Sequence, residues 1–599
     1  MKSIMQRFAT TLWSETVSDG NIAVEWYESL TPTSDYGELC WTDIDYTDQT
    51  RSVWDAANHY ARILHILKAF GKRRLLNDSE YAKKLTGALR FWLHHDFTNP
   101  NWWYNQIGMP QGIGNILLLM YPVLDADTLS QAINVMKKGS MSENPAMTKK
   151  TGANLIWHAT NTIRYALLTE NPDLLLQATK RASEEITIES SEGIQRDYSF
   201  FQHGPRLYAG GYGYNFANDL ARIMFLVQGT KFQFPTEKIR IFNTYVLDGL
   251  QYMTHKGALD WACIGREISR ADSIKTDRFQ RTLELMIATQ EMPRKQELQA
   301  FLNALGGEAQ PNKTKYFDIA AMVCHHFNGI YVGAKFSNPH TWGAELCNDE
   351  GALCYNMSYG THTCIMKSGR EYVNINPVWD YSRIPGTTAR TETDEQLLAH
   401  TDWHRYHLPN ECFGGAQKGN RAAIYELAEH DGIQALVCNF AFEDGFVCLG
   451  ANVQDQKGRN EQLITTVDQC FLSGDVNVEG TCISHNGIRY SALDYTNIHI
   501  AKERKTGSWR RNSAALSDEL VSADILTLTI AHPIGEKSKY AYMISASDKD
   551  APQITVLQND SKAQAIKLPN GDIMAVFYRD TTITADGIII VGKAGDILC

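Results

Sequence analysis

Several features are missing from this 599-residue chain, and each absence excludes a function class. No stretch approaches roughly 18 uninterrupted apolar residues, so the sequence holds no transmembrane helix. No two cysteines stand in a C-x-x-C pair, which removes support for a zinc ribbon or a thioredoxin-type motif. Neither a P-loop nor a Gly-x-Ser-x-Gly elbow is present. Basic residues are outnumbered, 57 Lys and Arg against 68 Asp and Glu, a net charge of −11. That balance argues against non-specific binding to nucleic acid or to an anionic membrane surface, although a local basic cleft would still accept a polyanion. The opening "MKSIMQRFATTLWSE" has no continuous apolar core and no small-residue cleavage site, so it does not read as a signal peptide.

What remains is ordinary globular text. Apolar residues make up 43% and charged residues 21%, and the length calls for two to four domains. Ten of the twelve cysteines lie beyond residue 320, in runs such as "ALVCNFAF" and "GFVCLGA". Those settings describe small buried hydrophobes better than disulfides. The first 305 residues read mainly as helix. In "SVWDAANHYARILHILKAF", Val53, Ala57, Tyr60, Leu64 and Leu67 repeat at helical spacing, and "NLIWHATNTIRYALLTE", "TEKIRIFNTYVLDGLQYM" and "RFQRTLELMIATQ" do the same. The linker-like "GGEAQPNKTK" follows. Short β-branched and aromatic runs then alternate with turns: "THTCIMKSG", "EYVNINPVW", "QALVCNFAF", "DILTLTIAH", "YAYMISAS" and "GIIIVG". Helices followed by strands predict an α+β multidomain protein rather than a βαβ fold. The expected division is 1–310 helical, 316–549 a central antiparallel β-sandwich, and 550–599 a small C-terminal β-domain after "SDKDAPQ".

Five islands could carry chemistry. "NWWYNQIGMPQGIGN" holds adjacent indoles, Trp102 and Trp103, whose side chains point in different directions on any regular element. "KKTGANLIWHA" places Asn154 at a helix start. "DYSFFQHGPRLYAGGYGYN" gathers His203, Tyr208, Tyr212 and Tyr214 among glycines. "GREISR" supplies Arg266, Glu267 and Arg270, and "WGAELCNDEG" supplies Glu345 and Asn348. Each has a plainer reading: a helix N-cap for Asn154, a structural hydrogen-bonder for His203, a solvated helix face for Arg266 and Arg270, and core for Trp102.

In this order the islands resemble the polysaccharide lyase family that includes chondroitin AC lyase, hyaluronate lyase and xanthan lyase. The matching text is "NWWYNQIGMPQ", "KKTGAN", "DYSFFQHGPRLYAGGYG", "GREISR" and "EYVNINPVWDYSRIPGTT", and the similarity runs from about "WYESLTP" to "KYAYMIS". "QHGP" and "PVWDYSRIPGTT" look closest to the chondroitin AC branch. The resemblance implies a helical α/α toroid, a large β-sandwich domain and a smaller C-terminal β-domain. It places the catalytic asparagine on Asn154, the histidine on His203, the tyrosine on Tyr212, the arginine pair on Arg266 and Arg270, and the glutamate on Glu345. Sugar-stacking aromatics fall on Trp102 and Trp103, a substrate asparagine on Asn348, and a further cleft aromatic on Trp403, around which the spacing differs. The implied reaction is β-elimination at a hexuronic acid of chondroitin sulfate or hyaluronan, with xanthan-type side chains as the alternative. No cofactor is required, a structural calcium ion is left open, and the partner is an acidic polysaccharide or oligosaccharide met by a monomer. Location is expected to be secreted or periplasmic, with a cytoplasmic oligosaccharide lyase as the alternative.

The chemistry explains the residue types. Removing the C5 proton beside an ionised carboxylate puts a second negative charge on one group. Asn154 and His203 would donate hydrogen bonds that strengthen as that charge forms. Tyr212 would take the proton and return it to the leaving oxygen, with Arg266 drawing its pKa below that of a free phenol. Glu345 would hold Arg266 or Arg270 and so tie the helical domain to the β-domain. The Trp pair, on a glycine-rich loop, would form a platform for sugar rings. A hydrolase would need two catalytic carboxylates, and among the residues singled out in the islands only Glu345 and Glu267 are acids. An inactive binding protein would not be expected to keep Asn, His, Tyr and Arg together.

Overall fold

The computed structural model describes residues 1–15, 17, 19–33, 37–188, 191–400, 407–494, 496–585 and 587–599. Packing divides the chain into two units. The first comprises residues 1–187, 215–242 and 284–293; the second comprises 188–214, 243–283 and 294–599.

Among the described residues, twelve α-helices precede residue 306: α1 Lys2–Trp13, α2 Gly20–Glu28, α3 Asn58–Asn77, α4 Ser79–His95, α5 Met109–Met120, α6 Ala126–Lys137, α7 Gly152–Leu168, α8 Pro172–Glu184, α9 Tyr214–Val227, α10 Thr236–Asp248, α11 Asp277–Ala288 and α12 Lys295–Leu305. Their starts are legible in the sequence. Asp19, Asp78, Asp125 and Asn171 cap α2, α4, α6 and α8 by accepting from backbone N–H groups of the first turn. In α8, Pro172 occupies a position whose N–H would be unpaired anyway. Neighbours α3–α4, α5–α6 and α7–α8 pack on one another. The helix read from Val53 starts later, at Asn58, and its core is Tyr60, Ile63, Ile66 and Leu67, while Val53 is exposed. The cause is Trp54, whose indole donates to Asp48 O at 3.0 Å and whose backbone N–H donates to the Tyr104 hydroxyl at 3.2 Å.

Apart from two-residue strands such as Phe200–Phe201, the strands begin at Lys313. An eight-stranded antiparallel sheet runs Phe413–Lys418, Arg421–His430, Ile433–Phe442, Gly445–Asp455, Ser538–Ala546, Ile488–Ala492, Cys482–His485 and Val476–Glu479 in spatial order. Two four-stranded antiparallel sheets accompany it, one over residues 313–366 and one built on Ile464–Phe471 and Val521–Ala531. The C-terminal strands Ala563–Lys567 and Ile573–Phe577 use both faces. Ile566, Met574 and Val576 join Phe440, Phe442, Val447 and Leu449 of the large sheet, and the alternate Ala565, Ala575 and Phe577 pack with Ile583. All twelve cysteines are unpaired, with Cys438 and Cys448 buried in adjacent strands of the large sheet. One strand reading fails. "EYVNINPVW" is a chain of turns, because Asn374 takes φ +65° and Pro377 offers no N–H to a ladder. Its Tyr372, Val378 and Trp379 are nevertheless buried.

The strand core also holds an acid. Glu426 is fully buried and accepts from Ser337 N at 2.8 Å and Thr361 Oγ1 at 3.2 Å. Burial pushes its carboxyl up to about 8, so it is neutral in the fold at pH 7. A carboxyl raised in the folded state binds a proton that the unfolded chain releases. Stability therefore falls as pH rises from the ordinary carboxylate value toward 8. Glu426→Gln is expected to remove this component, on the order of a few kcal/mol, from the stability difference between pH 5 and pH 8. An unchanged pH dependence of chemical denaturation in the variant would disprove the assignment.

Candidate active site

The second unit brings His203, Tyr212, Arg266, Arg270 and Glu345 together. The chain reaches them through tight backbone. After the strand Phe200–Phe201, His203 adopts φ +58°, a sparsely populated conformation for a non-glycine residue. A turn at Ala209–Gly213 follows, broken by Gly211 at φ +49°, and a β-carbon there would lie 2.3 Å from Glu267 Oε2. Glycine is therefore required beside Tyr212 for both conformation and clearance. Arg266 sits in the 3₁₀ turn Gly265–Ser269. Glu345 and Glu350 flank a hairpin in which Cys347 and Glu350 exchange backbone hydrogen bonds at 3.1 and 3.2 Å. Its central residues Asn348 and Asp349 have φ +53° and +63°, the left-handed pair that a type I′ turn needs.

Arg266 is the hub. Its guanidinium donates to Glu345 Oε2, to Glu350 Oε2 at 3.2 Å and to the Tyr212 hydroxyl at 3.3 Å. Glu350 also receives Arg270 in a two-point pair, Nε to Oε1 at 2.6 Å and Nη2 to Oε2 at 2.8 Å. Glu345 takes His203 Nδ1 at 2.6 Å and the Tyr208 hydroxyl at 3.2 Å, with Arg206 3.6 Å away. Burial alone would raise the Glu345 carboxyl, but the His203 hydrogen bond and the Arg266 and Arg206 charges hold it at about 2. An ionised carboxylate only accepts, so His203 carries its proton on Nδ1 and, while neutral, presents Nε2 as a lone pair. The His203 and Tyr212 rings lie 4.7 Å apart.

Two expectations change here. Tyr212 does not fall below a free phenol: burial pushes it up to about 12, outweighing Arg266. Tyr208 is not a bystander, because it is bonded to Glu345 and lies 3.4 Å from Arg266 Nη1. Sequence reading passed over Glu350 and Arg206, and it named Tyr208 without giving it a role. The Asn-Asp pair in "CNDE" was the available signal, since such a turn throws its flanking residues to one side. Asn348 is half-buried at that turn, and Trp403 lies outside the described residues.

The first unit holds Asn154, Trp102 and Trp103. Asn154 is not the N-cap of α7; that is Thr151, and Asn154 is the third helical residue, 9% exposed. Among the described residues its side-chain amide makes no hydrogen bond. The indoles are not on a loop either. They begin a helical stretch that continues through a single π-helical turn, Tyr104–Gly108, into α5. In that turn Trp103 packs on Gly108, where a β-carbon would sit 2.6 Å from the ring, and meets Trp157 edge-on at 5.8 Å. Trp102 is 36% exposed. The two therefore differ in kind. Trp103→Ala is expected to cost about 2–4 kcal/mol of stability through the cavity it leaves. Trp102→Ala should melt near the parent and lose about 0.5–1.5 kcal/mol of sugar stacking. Thermal melts and KM of the pair check this, and equal melting losses would refute the distinction.

Among the described residues no group of three or more His, Cys, Asp or Glu could hold a metal ion, and no helix is long and apolar enough to cross a membrane.

Residues 3–304 match the N-terminal alpha-helical domain of polysaccharide lyase family 8, and residues 312–555 match its super-sandwich domain. The chain belongs to polysaccharide lyase family 8. It is 27% identical to Chondroitinase-AC of Pedobacter heparinus over 92% of this chain and 82% of that one. It is 21% identical to Xanthan lyase of a Bacillus species, over 96% and 70%. A solved chondroitinase AC lyase, studied as oligosaccharide complexes, superposes with a TM-score of 0.86 at 25% identity, over 99% of this chain and 91% of that one. The family fold, a helical domain followed by a β-sandwich domain, is the architecture described above.

Proposed function

We propose that this family 8 member is a glycosaminoglycan lyase that cleaves chondroitin sulfate or hyaluronan by β-elimination and leaves a 4,5-unsaturated uronate. The observation that carries the reading is the Tyr212 hydroxyl at 3.3 Å from an Arg266 guanidinium that Glu345 and Glu350 fix in place, next to a His203 oriented by Glu345. Proton transfer needs a group held in place against a defined electrostatic background, and this cluster supplies one. The likeness to Chondroitinase-AC supports the substrate class.

In this mechanism the substrate carboxylate is met by the Asn154 amide, which strengthens its hydrogen bond as the aci-carboxylate develops. The C5 proton leaves to a base, and the C4–O bond breaks as the leaving oxygen is protonated. Tyr212 serves both steps in the first assignment. A second assignment is favoured by the raised Tyr212 phenol and by the Nδ1–H bond of His203. There, His203 Nε2 takes the proton and the neutral phenol of Tyr212 protonates the leaving oxygen. Arg270, Asn348 and Trp102 are assigned to binding the polymer. No step requires a cofactor, and action outside the cytoplasm of a bacterium, as a monomer, fits a polymeric substrate.

Incubation with chondroitin sulfate, hyaluronan and xanthan, followed in the far ultraviolet, tests the proposal. A lyase produces a conjugated double bond and its absorbance. New reducing ends without absorbance would indicate a hydrolase, and neither would indicate a binding protein.

A further inference from the structure

The exposed indole of Trp102 has a cation on it. Lys150 Nζ lies 4.4 Å from the Trp102 ring centroid, and Lys150 enters none of the ion pairs among the described residues. Its backbone is pinned: Arg181 donates to Thr148 O at 3.1 Å and to Lys150 O at 3.4 Å. An acid that contacts this segment, Glu185, is already engaged: it accepts from Arg181 Nη2 at 3.0 Å and from Gly152 N at 2.5 Å. Alongside the indole stands His158, whose ring lies 6.3 Å away at 21°. It is fully buried, and burial holds it near 4, so it adds no charge at neutral pH. The charge on this indole is that of the half-buried Lys150, and its sequence neighbour Lys149 is more exposed.

An ammonium resting on an aromatic face, without a carboxylate, is held by a weak interaction and exchanges readily for an anion. A sugar that lays its ring against the same indole brings its substituents to the ring edge, within reach of a lysine that needs only a rotamer change. We propose that Lys150 is the anion-reading residue of the Trp102 platform, binding a sulfate or carboxylate group of the sugar stacked there. The inference rests on the uronic-polymer reading above and adds a specificity contact to it.

The full-length chain carrying Lys150→Met, with Lys149→Met as the neighbouring control, is assayed on chondroitin sulfate and on unsulfated hyaluronan at several salt concentrations. Lys150→Met should raise KM by about 3- to 10-fold, the order of a part-exposed charged contact, with kcat and melting temperature unchanged and a weaker dependence of KM on salt. A rise confined to chondroitin sulfate identifies sulfate, and an equal rise on both polymers identifies carboxylate. The proposal is overturned if KM is unchanged on both, or if Lys149→Met raises it as much, which would mean generic attraction. Affinity electrophoresis in gels containing chondroitin sulfate reads binding without turnover. If the parent chain cleaves neither polymer, loss of retardation in Lys150→Met upholds the anion contact while the lyase reading falls. Unaltered retardation overturns the contact itself.

Discussion

Tyr212→Phe is expected to lower kcat by about 10²–10⁴-fold, the contribution of a general acid–base group, with KM nearly unchanged. The substitution removes one oxygen from a buried ring, so packing is kept, and the hydroxyl acts in the transition state rather than in the bound ground state. The alkaline limb of the pH profile then separates the two assignments. If Tyr212 is the base, activity depends on its phenolate and keeps rising with pH beyond a free phenol, because burial places the group at about 12. If Tyr212 is the acid and His203 Nε2 the base, activity falls as the phenol ionises. Tyr214→Phe is the control. Its ring stacks on Phe279 at 4.5 Å and, among the described residues, its buried hydroxyl has no hydrogen-bond partner, so losing the oxygen should leave both rate and stability near the parent. Tyr208 cannot serve as that control, since it contacts Glu345 and Arg266. Substantial turnover in Tyr212→Phe, with His203→Ala inactive but still binding, would remove Tyr212 from the chemistry.

Arg266→Lys should lose activity by at least about 10²-fold even though the charge is kept, because two or more charged hydrogen bonds of about 1.5–3 kcal/mol each are broken. The planar fork spans Glu345, Glu350 and Tyr212 at once, and an ammonium on a flexible stem cannot. The same change leaves two buried carboxylates partly uncompensated, so about 2–4 kcal/mol of stability should go with it. Acid unfolding gives an independent reading. The Glu345 carboxyl is depressed in the fold, so its stabilisation is present above the ordinary carboxylate value and is lost as pH falls toward about 2. In Arg266→Lys the carboxyl moves back up and unfolding should begin at higher pH. Near-normal turnover with unshifted acid unfolding would leave Arg266 as a generic charge.

Much of this was fixed by local sequence. The caps at Asp78, Asp125 and Asn171 and the 3.6-residue period set α4, α6 and α8, because a helix start and its apolar face are decided within a few residues. The alternation that sends Ile566 and Ala565 to opposite faces is equally local. Residue types and order were enough to point to a family and to His203, Tyr212, Arg266 and Glu345. What the sequence by itself could not decide was anything set by neighbours distant in the chain. Glu350 joins the site across 84 residues from Arg266. Trp102 and Trp103 read alike, and only a π-helical turn against Gly108 makes one a packed wall and the other an exposed surface. The protonation of Tyr212 reversed its expected direction. A sequence shows that an arginine is available to pair with a phenol, but the desolvation that outweighs it exists only once the fold has removed the water.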